Sequence, residues 1–148
     1  MRLETIAQDL VSQLRNATPQ QQRAAAVAAC KTALQTSPVS AKLVVEALEE
    51  ICRQGVLSVQ RMEALDDLAR KFDAQYFDAQ ESTEIDSSAQ ANALHWFAQA
   101  RAVSALSFAG GENAFEAAAE AIYEASTAVD DGGKILDAAA AALTDRGS

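Results

Sequence analysis

The chain has 148 residues, 49% of them hydrophobic, with 34 alanines against six glycines and two prolines. That is enough apolar material for one ordinary domain with its own core, so disorder is excluded, and the alanine excess favours helix because alanine loses no side-chain entropy there. The formal net charge of −9 falls entirely in the second half: residues 1–74 hold nine Lys/Arg and nine Asp/Glu, residues 75–148 three and twelve. This argues against nucleic acid or an anionic membrane as ligand and for a basic partner.

Leu3, Ile6, Ala7, Leu10, Val11 and Leu14 follow the i, i+3, i+4, i+7 spacing of an amphipathic helix, and predict a first helix from the N-terminus to about Asn16. Thr18-Pro19-Gln20-Gln21 opens a second, with Thr18 as cap, Pro19 in the first turn and Gln21 closing a capping box. Ser37-Pro38 repeats the cap-then-proline signal and predicts the start of a third, which Gly55 ends. Ser58 caps a fourth, with Met62, Leu65, Ala69, Phe72 and Tyr76 inward and the pairs Asp66–Arg70 and Asp67–Lys71 outward. Residues 80–88 are polar and aperiodic, and read as a surface loop between two halves of one helical domain spanning 1–148.

A fifth helix, from about Ser87 to Ala109, is apolar all round its circumference, as a central buried helix is. Asn113 to Glu116 caps a sixth, running to about Val129. Asp130-Asp131-Gly132-Gly133 breaks the chain before a short last helix, Ile135 to Leu143. No alternating strand pattern occurs. The expected fold is all-α, a compact bundle of six to seven helices. The alternative is a short solenoid of helix pairs, since Pro19 and Pro38 open successive helices.

The sequence holds little that would serve catalysis. His95 is the one histidine. It adjoins Trp96 in the central helix and is expected to be a hydrogen-bonded structural residue. Cys30 and Cys52 form no CxxC pair and are expected to be buried free thiols, which fits a reducing cytoplasm. No clustered metal ligands, phosphate loop or cofactor motif appears, so no metal, cofactor or enzymatic activity is expected. No apolar run is long enough to cross a bilayer, and the charged N-terminus lacks a signal core.

Glu112, Glu116, Glu120 and Glu124 stand four residues apart and form a stripe over an arc of about 120° on a helical wheel. Tyr123 falls inside the arc, and no Lys or Arg lies on that helix to relieve the repulsion. These five residues are the expected partner-binding surface, with Tyr123 as apolar anchor. Arg101 is the single charged residue between Ser87 and Gly111. It is expected to form an internal ion pair, because a buried guanidinium needs a carboxylate.

The stretch Ala93-Leu94-His95-Trp96-Phe97-Ala98-Gln99-Ala100-Arg101-Ala102, with Ala121-Ile122-Tyr123-Glu124-Ala125 after it, resembles helical bacterial immunity proteins, the small acidic antitoxins encoded beside polymorphic, contact-dependent or secreted toxins. It is a likeness of style, an alanine-rich helix pair with one Arg and one Trp followed by an acidic helix, and it contains no motif that carries residue roles across. It implies a cytoplasmic inhibitor that occludes a basic toxin domain. Two further expectations stand beside it: a helical scaffold or adaptor, and a small enzyme with a pocket around Arg101 and His95.

Overall fold

The computed structural model describes residues 1–81 and 87–144, with no side-chain description for 81 and 87–91. Among the described residues a 3-10 turn, Leu3–Thr5, precedes seven helices: α1 (Gln8–Asn16), α2 (Pro19–Thr36), α3 (Lys42–Gln54), α4 (Val59–Glu81), α5 (Ser87–Ala109), α6 (Ala114–Thr127) and α7 (Gly132–Thr144). No strand is present among them, and the protein is an all-α bundle.

The predicted starts and stops hold where every participant is local. Thr18 and Gln21 close the capping box, with the Gln21 amide donating to Thr18 Oγ1 at 3.1 Å and the Thr18 amide donating to Gln21 Oε1 at 2.9 Å. Gly55 caps α3 in the left-handed region, at φ 80°, which a side chain would strain. Ser58 Oγ accepts from Arg61 N, and Asn113 Oδ1 accepts from Glu116 N at 2.9 Å.

Other expectations give way. The first helix is broken: Leu3–Thr5 is a 3-10 turn, and α1 starts only at Gln8. The break leaves Ile6 half-exposed while Leu3 is fully buried. Ser37-Pro38 does not open α3. Ser37 ends α2, its amide donating to Ala33 O at 2.8 Å, and α3 begins at Lys42. On α4, Arg70 pairs with Asp67 and not with Asp66, and Lys71 makes no ion pair among the described residues. α7 starts at Gly132, where Asp131 Oδ1 accepts from Gly133 N, and it docks through Ile135, Ala139 and Leu143. The loop expected at 80–88 is helical at both margins, and residues 82–86 lie outside the described residues.

The packing is not that of a solenoid, in which each unit meets only its neighbours in sequence. Helix α2 packs against α5, α6 and α7, and α6 against α5 and α7. Helices α4 and α5 lie antiparallel. Met62 faces Ser107 through a hydrogen bond, Asp73 faces Arg101, and Tyr76 faces Phe97 at 5.3 Å between ring centroids. Helix α3 lies along the flank of α2, α4 and α5.

Alanines form much of the centre: Ala25, Ala26, Ala29 and Ala33 of α2, Ala102, Ala105 and Ala109 of α5, and Ala118, Ala121 and Ala125 of α6 are buried. Small side chains let helix axes approach closely, toward the low end of the 8–10 Å range. Leu14, Leu65, Val103, Leu106, Ile122 and Ile135, all fully buried, fill the spaces between. The central position expected of α5 belongs to its C-terminal half. Its N-terminal half leaves Leu94 63% exposed and His95 in solvent.

Candidate functional site

Helix α6 carries the acids singled out in the sequence, and its surroundings divide them. Glu112 precedes the cap Asn113, so it lies outside the helix; its side chain is exposed, and its carbonyl accepts from Arg23 Nη2 at 2.7 Å. Glu116, in the first turn, is exposed and makes no ion pair among the described residues. Its carboxylate also sits favourably at the positive end of the helix dipole.

Glu120 and Glu124 are engaged from elsewhere in the chain. Arg2, just before the N-terminal 3-10 turn, pairs through Nη2 with Glu120 and, at 3.1 Å, with Glu124 Oε1. Its guanidinium lies 4.4 Å from the centroid of the Tyr123 ring. The hydrogen bond to Glu120 is the main cause that raises the Arg2 pKa above its ordinary value. Glu124 is 5% exposed, and Tyr123 is half-buried beneath Arg2. The stripe is therefore not the unrelieved surface expected, because a basic side chain from the other end of the chain covers its middle. Glu124 belongs to the interior.

Arg101 meets Glu124 from the opposite side. Its Nη1 lies 3.1 Å from Glu124 Oε2 and its Nη2 2.7 Å from Asp73 Oδ2 on α4, while Phe97 sits 5.7 Å from the guanidinium. Arg101 Nε is buried without a hydrogen-bond partner among the described residues. Two cations and three carboxylates thus run from the N-terminus through α6 and α5 to α4. This array joins four segments and neutralises itself to within one charge. A buried pair costs desolvation, so its main consequence is to make those segments interdependent.

The remaining candidates do not converge. His95 is exposed on α5, not a buried structural residue. Cys30 is fully buried, and burial pushes its thiol up to about 12 from an ordinary 9.0. Cys52, expected to be buried, is exposed because it falls one residue past the inward Ile51 of α3. The groove between α2 and α3 and the cleft between the first helix and α7 are lined by neither Arg101 nor His95. No group of three metal-ligating side chains occurs among the described residues, and no described helix is long and apolar enough to cross a membrane.

The two thiols should react very differently. At pH 8 a thiol reagent is expected to modify Cys52 promptly and Cys30 only when denaturant unfolds the chain. Because the folded pKa of Cys30 is raised, its contribution to stability is whole below the ordinary value and is lost as pH climbs toward 12. Prompt modification of both thiols in the folded protein would contradict the burial of Cys30.

No family model matches the chain, and neither a curated protein nor a solved structure matches it.

Proposed function

We propose that the protein is a cytoplasmic, immunity-type inhibitor that binds a cognate toxin domain through a basic surface of that domain. The observation that carries this reading is the distribution of carboxylates left after internal pairing. Glu112 and Glu116 stand exposed at the head of α6, and Asp130 and Asp131 stand exposed just beyond its end. None of the four makes an ion pair among the described residues. A 14-residue helix is about 21 Å long, so the acids bracket a rigid rod whose middle is neutralised by Arg2. Such an arrangement would steer a basic partner by long-range attraction and hold it against a surface that does not rearrange.

The test is a toxin domain encoded beside this chain, titrated against the parent and against Glu112→Lys/Glu116→Lys. The double reversal should slow association at least tenfold at low salt and much less near 0.5 M salt, where screening is short-ranged. Inhibition of the toxin should fall in parallel. Failure of the parent to bind or inhibit the toxin would overturn the immunity reading. Unchanged association of the reversed variant would overturn the placement of the surface on α6.

A further inference from the structure

A groove of about 590 Å³ runs between α2 and α3, with its Arg23 end beside the Gly111–Glu112 turn that leads into α6. Its floor is aliphatic: Ala24, Val27 and Ala28 from α2 at helical spacing, faced by Ile51 of α3, with the exposed Cys52 at its edge. A cation stands toward each end. Arg23 is fixed by donating to the carbonyls of Ala109, Gly111 and Glu112 at 3.3, 2.6 and 2.7 Å, and it makes no ion pair with a carboxylate among the described residues. Lys31 is exposed and likewise has no ion pair among the described residues. Gly55 lines the Arg23 end. A Cβ there would lie 3.9 Å from the Arg23 stem, an ordinary van der Waals contact.

We propose that this groove receives an amphipathic helix from a partner protein, with an acidic residue at each end of its contact face and two aliphatic residues between them. The charge pattern decides the occupant. Arg23 and Lys31 are eight residues apart on α2, a rise of about 12 Å, and glutamates seven residues apart on a docked helix span about 10.5 Å. The i+3 and i+4 positions between them would present leucines to the Ala24–Val27–Ala28 floor, where small side chains admit a close helical neighbour. A single-headed anionic amphiphile would leave one of the two cations unmatched. A basic segment would be repelled by Lys31 and, less strongly, at the Arg23 end, which adjoins the exposed Glu112. The proposal does not depend on the immunity reading.

The probe is a synthetic 16-residue helical peptide with the core Glu-x-x-Leu-Leu-x-x-Glu, labelled for anisotropy and titrated against the full chain. Its control replaces both glutamates with lysines. The glutamate peptide should bind about tenfold more tightly than the control, the sum of two favourable rim pairs and two repulsions avoided. Lys31→Glu should erase most of that preference, and Ala28→Trp, which fills the floor, should abolish binding; thermal melts show that each variant folds. Bound peptide should also slow maleimide modification of Cys52 severalfold. Equal affinity for the two peptides, no detectable binding, or no protection of Cys52 would overturn the proposal. So would displacement of the peptide by equimolar decanoate, which would assign the groove to a small amphiphile. Concentration-dependent dimerisation abolished by Lys31→Glu would assign it to a second copy of the chain.

Discussion

Arg101→Ala is expected to destabilise the protein by about 3 kcal/mol in chemical denaturation, the low end of the cost of removing one member of a buried ion pair. The guanidinium is three-quarters buried and holds Glu124 and Asp73, which come from different helices. Without it, Glu124 keeps Arg2 as a partner at 3.1 Å, which is why the loss should stay at the low end. Asp73, 29% exposed at its side chain, can turn toward water; Glu124, at 6%, cannot. The comparison with Glu124→Gln makes the argument specific. If the cost of losing Arg101 is a stranded Glu124 charge, the Arg101→Ala penalty should shrink by more than 1 kcal/mol when Glu124 is already neutral, the coupling expected of groups in one network. A loss below about 0.5 kcal/mol, or strict additivity in the double variant, would mean that the array is a solvated surface pair.

The helices were readable from sequence because their signals are local. A capping box needs four consecutive residues, and Thr18 to Gln21 supply all of them. The inward faces of α3 and α4 follow from a 3.6-residue period: of the face Val44, Ala47, Leu48 and Ile51 that it predicts on α3, Leu48 is partly buried and the other three are buried. Where local signals have two meanings, the reading failed. Serine followed by proline can start a helix or end one, since the residue before proline is pushed out of helical geometry. At Ser37 the second meaning applies, and four residues of connector follow before α3. The break after Thr5 has no local signal at all. Leu3, Ile6 and Leu10 keep helical spacing, and the turn is set by Leu3 seating in the core while Arg2 reaches α6.

The acid stripe was legible as a pattern and illegible as an environment. Its periodicity placed Glu116, Glu120 and Glu124 on one side of α6, but Arg2, 118 residues from Glu120, decides what that side meets. Helix periodicity also could not separate Glu124 from its neighbours. The burial of Glu124 follows from the approach of α5, which brings Arg101 across 23 residues. Arg101 itself was easier to read, because an isolated charge in an apolar helix needs a counter-charge wherever the helix packs. The groove between α2 and α3 left no trace in the periodicity: Ala24 and Ala28 suit a buried face as well as an open one, and only the stance of α3 leaves them uncovered.

Gly110→Ala is expected to cost about 2 kcal/mol, although Gly110 needs no unusual backbone angle. The cause is contact. After α5 the chain turns against the segment between α3 and α4, and Leu57 N donates to Gly110 O at 3.1 Å. A Cβ on residue 110 would lie 2.5 Å from Leu57 Cγ and 2.6 Å from its Cβ and Cδ1, closer than atoms tolerate. Leu57 is 5% exposed, so its side chain cannot swing aside into solvent without leaving the core. Either the backbone hydrogen bond lengthens or Leu57 leaves its site. Leu57→Ala removes Cγ and Cδ1 but creates a void, and alone it should cost about 2–3 kcal/mol. Together the two changes should cost less than their sum by about 1 kcal/mol, because two of the three close contacts go with the leucine; the Cβ that alanine keeps, at 2.6 Å, must still shift, so the rescue is partial. Denaturant midpoints of the four proteins measure this coupling. Additive losses would show that Gly110 is required for the geometry of the turn and not for the approach of Leu57.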